Sequence, residues 1–206
     1  MGDAEKTGAV DFCYDFASPW AYFANARLSE VFPSGSVPIN RIPVYLRGFE
    51  SFRSAIPYSA AKLSYLAQDM KRVAEYYAIP FGVPAVFPIN GIHLLRGAIF
   101  VEDSPRANAF HEAAFRATWK DGRNVSDKSI AAEIAQEVGI DPAEFLAGIA
   151  AIEVKDKLKN NTAASIARGA FGVPTFFFRD QMFWGQDRLE MLKAAIDKAQ
   201  RTTVAE

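Results

Sequence analysis

An apolar run over residues 10–16 gives way, within Asp15-Phe16-Ala17-Ser18-Pro19-Trp20-Ala21-Tyr22, to a helical pattern with almost no loop between them. A strand that stops as a helix starts leaves the first free backbone N–H groups of that helix at the carboxyl edge of a sheet, where α/β proteins hold ligands. Ser18 is a good N-cap and Pro19 a suitable first helical residue, so on local grammar alone the pair is a helix cap before it is a site. The run itself is apolar enough to be buried on both faces, and Cys13 within it reads as a small core residue. The helix extends over 19–32, with Tyr22, Phe23, Ala26 and Leu28 facing inward, and Pro33-Ser34-Gly35 stops it. A second strand follows over 37–46, its pairing interrupted near the ends by Pro38 and Pro43. Strand, helix and strand in under forty residues make a βαβ unit with parallel strands and a right-handed crossover.

From Ser59 the grammar changes, and about a hundred residues read as helical. Leu63, Leu66, Met70, Val73 and Tyr77 form an apolar stripe at helical spacing. Beside it Lys62, Tyr65, Asp69 and Arg72 read as a solvated flank with local ion pairs. A proline-rich, aromatic link covers 79–90. Ser104-Pro105 offers a cap and first turn for a helix carrying Phe110, Ala114 and Trp119. Ser126-Asp127 opens another, with Ile130, Ile134 and Val138 on one face and a stop at Gly139. Asp141-Pro142-Ala143-Glu144 is a cap, a proline and a reciprocal acid for the next. A last helix of this block runs from about Glu153 to Arg168. Gly169 and Gly172 then mark a return to strands: 175–179, a turn at Asp180-Gln181, and 182–184 as an antiparallel hairpin. A closing helix starts near Asp187, which with Glu190 makes a capping-box-like pair, and buries Leu189, Leu192 and Ile196. The fold class is α/β: a β-α-β…β-β-α sheet domain formed by 8–57 and 169–206, with an all-helical insertion over 58–168.

The chain has 206 residues, half of them hydrophobic, enough for a substantial core. Its formal charge of −1 gives no footprint for nucleic acid or an anionic membrane, and no run is apolar enough to span a bilayer. Small molecules or proteins remain as partners. Met1-Gly2-Asp3-Ala4-Glu5-Lys6 lacks the basic and then apolar pattern of a secretory signal. Cys13 is the sole cysteine, so no intramolecular disulfide can form. Together these point to a reducing, cytoplasmic setting and away from any two-cysteine redox mechanism. His93 and His111 are the only histidines, neither in a metal-ligand pattern, so no metal is expected.

A βαβ unit followed by ββα is the thioredoxin arrangement, and a helical block between the halves is its usual enlargement in the bacterial disulfide-forming proteins. Where those proteins carry their redox pair, this chain reads Ser18-Pro19-Trp20-Ala21, and Val173-Pro174-Thr175 falls where the fold has its cis-proline. Five segments occur in register with these elements: Asp15 to Tyr22; Lys62-Leu63-Ser64-Tyr65-Leu66 with Asp69 and Arg72; Phe115-Arg116-Ala117-Thr118-Trp119; Phe171-Gly172-Val173-Pro174-Thr175; and Trp184-Gly185-Gln186-Asp187-Arg188-Leu189. On these the chain resembles the 2-hydroxychromene-2-carboxylate isomerases and the related kappa-class glutathione transferases.

The resemblance implies glutathione as cofactor, bound between the thioredoxin-like part and the helical insertion, and a homodimer acting in aromatic catabolism. It makes Ser18 the catalytic residue, a hydroxyl that holds the thiolate at a helix N-terminus where N–H groups favour the anion. Val173 and Pro174 would pair backbone with the cysteinyl part. Gln186, Asp187 and Arg188 would hold the γ-glutamyl end, and Lys62 a carboxylate in the crevice. Lys62, with Arg47 or Arg53, would neutralise the substrate carboxylate, and Trp20, Tyr65 and Trp184 would wall the substrate. The loop Leu46-Arg47-Gly48-Phe49-Glu50-Ser51-Phe52-Arg53 departs from the Gly- and Asn-containing loop often found in the isomerases, and Asn90 is the candidate that compensates. Two other readings use the same residues: a kappa-type transferase conjugating electrophilic aromatics, and a non-catalytic thioredoxin-like protein that binds a thiol or peptide.

Overall fold

The computed structural model describes residues 8–33, 36–53 and 58–204. Met1 to Lys6, read above for a leader, and Ser34-Gly35 of the expected helix stop lie outside these residues. A four-stranded sheet in the order β2-β1-β3-β4 is the frame. Its strands are β1 (Val10–Tyr14), β2 (Ile39–Pro43), β3 (Thr175–Phe178) and β4 (Gln181–Trp184). β1 runs parallel to β2, from Val10↔Ile39 to Tyr14↔Pro43, and antiparallel to β3, from Val10↔Phe178 to Cys13↔Thr175. β4 pairs antiparallel with β3 and forms one edge. Every residue of β1 and β3 is buried, as befits the two central strands, including Asp11, whose carboxylate pairs with Arg168 at 2.7 Å.

Helix α1 (Pro19–Val31) connects β1 to β2. It buries Tyr22, Phe23 and Leu28 as expected, but Ala26 faces outward with Ser29 and Glu30. The rest of its surface is covered nearly all round, because neighbours from both the sheet domain and the helical block pack on it. Between β2 and β3 come α2 (Ala60–Tyr76), α3 (Ile92–Phe100), α4 (Ala107–Trp119), α5 (Lys128–Glu137), α6 (Pro142–Gly148) and α7 (Ile152–Ala167); α8 (Leu189–Val204) closes the chain. Among the described residues no helix is long and apolar enough to cross a membrane. The main core runs from Phe12, stacked on Phe176 at 4.9 Å, through α1 into α3, α4, α5 and α8. A second cluster of Cys13, Val44, Phe49, Ala170, Val173 and Phe177 lies against the sheet. Trp119 Nε1 donates to the Phe16 carbonyl at 2.8 Å and so fastens the end of α4 to the turn that leads to Ser18.

Several boundaries differ from the sequence reading. β1 ends at Tyr14 rather than residue 16, since Asp15 begins a turn in which its own carbonyl accepts from Ser18 N at 3.0 Å. β2 spans 39–43 rather than 37–46: Tyr45 N donates to Thr162 Oγ1 and Leu46 N to Asp15 Oδ2, and two short 3₁₀ turns follow. Ser104 caps a turn by accepting from Arg106 N, and α4 starts after it at Ala107. The hairpin turns at Arg179-Asp180, with Arg179 at φ +54°, so Gln181 already belongs to β4. The apolar stripe of α2 is only partly covered, and Ala74 is the buried residue of that helix.

Candidate active site

The turn that presents Ser18 is built on Asp15. Its Oδ1 accepts from Ala17 N at 2.9 Å and its Oδ2 from Leu46 N at 2.7 Å, so one carboxylate joins the end of β1 to the loop after β2. Gly91 packs against it so closely that a Cβ there would sit 2.7 Å from Oδ1. Burial pushes the Asp15 carboxyl up to about 6; the two backbone N–H groups, and then the charge of Arg47, pull the other way. Ser18 has the extended backbone of an N-cap, φ −97° and ψ 116°, and its Oγ accepts from Ala21 N at 3.2 Å. Pro19 needs no N–H partner at the first helical position.

Across from this turn the Val173–Pro174 peptide is cis, as its place before β3 led one to expect. Ser18 Oγ donates to the Val173 carbonyl at 3.4 Å, which brings the candidate catalytic hydroxyl and the candidate backbone subsite together. A contact that long is weak, and a hydroxyl proton turns freely, so Ser18 loses little by directing it to a ligand atom instead. Pro174 O accepts from Gly185 N at 3.0 Å, which ties this strand start to the turn after β4. Phe171 and Trp184 lie ring to ring at 4.9 Å, both about half exposed, and form an aromatic ledge next to Gly172-Val173. Trp184 was expected to wall the substrate; its partner Phe171 was not.

Gly185, at φ +111°, opens a 3₁₀ turn over Gln186–Arg188 that leads into α8. Gln186 is buried, while Asp187 is exposed and pairs with Arg188. The capping box expected between Asp187 and Glu190 is replaced, because the Glu190 carboxylate goes to Arg27. Arg27 also donates to both oxygens of Gln186. Sequence reading missed Arg27: a helical arginine gives no sign that its partners lie 159 residues away.

The remaining candidates fall into two groups. Asn90 Oδ1 accepts from Ile92 N at 3.3 Å and from the Tyr45 hydroxyl at 3.4 Å, one residue from the Gly91 that packs on Asp15; Arg47 is exposed in the same neighbourhood. This links Asn90 and Arg47 to the Ser18 turn, with Tyr45 as a member that sequence alone did not single out. Lys62 and Tyr65 make their contacts elsewhere: the Lys62 ammonium lies 4.2 Å from the Tyr58 ring centroid, and Tyr65 pairs with Asp69 at 3.4 Å with Arg72 over its ring. The solvated flank with local pairs is thus what the structure presents along α2. Trp20 is half-buried on α1 against Phe23. A cavity of about 340 Å³ beside Tyr22, Asn25, Tyr77 and Glu112 contains none of the expected site residues.

Electrostatically the site favours an anion. The start of a thirteen-residue helix directs its partial positive charge toward the Ser18 hydroxyl. Cys13 takes no part: it is buried, its Sγ lies 3.3 Å from Ser165 Oγ, and burial pushes its thiol up to about 11. The Ser165 proton goes to Asn161 O at 2.9 Å, so the cysteine keeps its own proton to donate.

A β2-β1-β3-β4 sheet with a Ser-Pro helix start facing a cis Val-Pro bond defines a thioredoxin-fold protein, here enlarged by an all-helical insertion and without a redox cysteine pair. The chain belongs to the DSBA-like thioredoxin domain family, whose model it matches over residues 9–197. It is 33% identical over 194 residues to the 2-hydroxychromene-2-carboxylate isomerase of Pseudomonas sp. (strain C18), covering 92% of this chain and 91% of that one. The solved structure of a 2-hydroxychromene-2-carboxylate isomerase superposes with a TM-score of 0.85 at 31% identity, covering 96% of this chain and 98% of that one. Glutathione S-transferase kappa 2 of Caenorhabditis elegans is 26% identical over 197 residues, covering 87% and 88% of the two chains.

Proposed function

We propose that the protein is a glutathione-dependent isomerase of the 2-hydroxychromene-2-carboxylate type, acting on a conjugated aromatic carboxylate. The observation that carries this reading is the Ser18 hydroxyl at a helix N-terminus, 3.4 Å from the carbonyl of a cis Val173-Pro174 bond. Glutathione fits that donor set: a hydroxyl and helix N-terminus for its sulfur, a strand-start backbone for its cysteinyl unit, and a buried amide beside a carboxylate–guanidinium pair for its γ-glutamyl end. When bound, glutathione supplies a thiolate that adds reversibly to the substrate's conjugated carbon and so frees a double bond to rotate.

Each residue then has a physical task. Ser18 donates a hydrogen bond to sulfur and, with the helix N-terminus, lowers the thiol pKa. Val173 and Pro174 align the cysteinyl unit; Gln186, Asp187 and Arg188 hold the γ-glutamyl end, Asp187 pairing with its ammonium. Arg47 with Asn90 neutralises and orients the substrate carboxylate. Trp184 and Trp20 exclude water from the conjugated system. No net oxidation or reduction occurs, in keeping with a chain that has one cysteine. The same reading includes a cytoplasmic homodimer in aromatic catabolism; a particle of 22.7 kDa in sedimentation, rather than twice that, would remove the dimer from it.

The test is an ultraviolet titration of thiolate absorbance against pH, with glutathione and either wild type or Ser18→Ala. Wild type is expected to bind glutathione and depress its thiol pKa, and Ser18→Ala to bind without the depression. Absence of binding to wild type under reducing conditions leaves the non-catalytic thioredoxin-like reading. The relation to a kappa transferase favours one second reading, a transferase using the same thiolate, and the products separate the two: rearranged substrate without adduct, or a stable conjugate.

A further inference from the structure

Arg27 is a buried cation to which the chemistry above gives no task. Its side chain is 4% exposed, and it lies about two and a half turns along α1 from Ser18. Nη1 donates to the Gln186 main-chain oxygen at 3.2 Å and to its side-chain Oε1 at 3.4 Å, Nη2 pairs with Glu190, and the flat face of the guanidinium lies 3.8 Å from the centroid of the Tyr77 ring. Four segments therefore meet on one group: the helix whose N-terminus carries Ser18, the turn that carries Gln186 and Asp187, the first turn of α8 at Glu190, and Tyr77, the residue that follows α2.

Packing alone does not account for this residue. A hydrophobic side chain of similar volume fills such a place without desolvating a charge, and is often neutral or better for stability. What the guanidinium adds is geometry. Its planar fork holds Gln186 through Nη1 and Glu190 through Nη2 at once, which the point charge of a lysine does not reproduce.

We propose that Arg27 is the positioning residue of the γ-glutamyl subsite: it sets the Gln186–Arg188 turn at a fixed distance from Ser18, so that a thiol ligand is selected by its γ-glutamyl arm as well as by its sulfur. The proposal rests on the glutathione reading and adds to it the device by which two helix starts are kept in register.

The experiment compares glutathione with cysteinylglycine, which has the same thiol but lacks the γ-glutamyl arm, by calorimetric binding to wild type, Arg27→Met and Arg27→Lys. Wild type should prefer glutathione by roughly tenfold to a hundredfold, the range expected for hydrogen bonds to charged groups. In Arg27→Met the preference should fall toward unity through loss of glutathione affinity alone, while cysteinylglycine binding and the depressed thiol pKa at Ser18 stay as in wild type. Arg27→Lys should lie nearer to Met than to wild type. A preference within twofold of wild type in both variants overturns the proposal, as does an equal loss for both thiols, which marks a residue that only supports the fold. If Arg27→Met does not fold, Arg27→Lys together with Glu190→Gln, at a carboxylate 60% exposed, decides the matter: an unchanged preference in that pair overturns it. Wild type that binds both thiols equally also overturns it and leaves the thiolate reading standing, whereas wild type that binds neither ends the glutathione reading itself.

Discussion

At the scale of single residues, Asp15 and His111 are the two buried groups that titrate in opposite senses. Asp15 has its carboxyl raised to about 6 by burial, above its value of about 3.9 in the unfolded chain. The native state therefore holds the proton between these values; the contribution of Asp15 to stability is greatest below about pH 4 and is lost as pH rises through about 6, by about 3 kcal/mol. His111 stands edge-on to Tyr14 and Phe115, its Nδ1 3.6 Å from Glu112, and burial lowers it to about 4. Its unfolded value is about 6.5, so its contribution is present above that pH and is lost as pH falls toward 4, by a similar amount. Urea midpoints measured from pH 4.5 to 7 check both: relative to wild type, Asp15→Asn should gain stability as pH rises and His111→Gln as pH falls. Parallel curves for all three proteins would show that neither group carries the dependence. Ser18 and Cys13 were legible from sequence because a cap and a core cysteine are defined by their immediate neighbours. Asp15 and Arg27 were not, since a carboxylate or guanidinium shows its task only through partners 31 and 159 residues away.

At the scale of elements, the packing of α3 against its neighbours is close. A Cβ on Gly97 would lie 2.6 Å from ring atoms of both Phe110 and Phe145, which are themselves fully buried on α4 and α6. Gly97→Ala should therefore destabilise by about 1–3 kcal/mol despite the better helix propensity of alanine, lowering Tm by roughly 2–4 °C for each kcal/mol. A melting temperature at or above that of wild type would mean that the two rings give way at no cost. Helices were the easiest elements to read, because a 3.6-residue pattern and an Asp cap such as Asp127 or Asp141 are local. Strand ends were harder: β2 stops where Thr162 and Asp15 take over its donors, and neither residue is near it in sequence. The apolar stripe of α2 was visible, yet a stripe shows only that a face is apolar and not how much of it the rest of the chain covers.

At the scale of the whole molecule, the order β-α-β, helices, β-β-α is enough to fix the sheet, since a right-handed βαβ unit and a tight hairpin leave few ways to join. The candidate site follows from that order rather than from any one segment. Ser18 belongs to the first half of the sheet domain, Val173 and Gln186 to the second, and the helical block between them touches the Ser18 turn through Gly91 and Trp119. Sequence alone therefore gave the members contributed by short motifs, and left out those, such as Tyr45 and Phe171, that matter only through what they stand beside.

The antiparallel pairing of β1 with β3 also sets a timetable. Ser18 and Val173 are 155 residues apart, and β3 follows directly after Val173-Pro174. At roughly 5–20 residues per second a ribosome needs on the order of ten seconds to make the intervening chain. Through that interval β1 has only its parallel neighbour β2, and its other edge, lined by Val10, Phe12 and Cys13, waits for a strand not yet made. A strand made early is thus enclosed late, and through that interval the centre of the future sheet keeps an open edge.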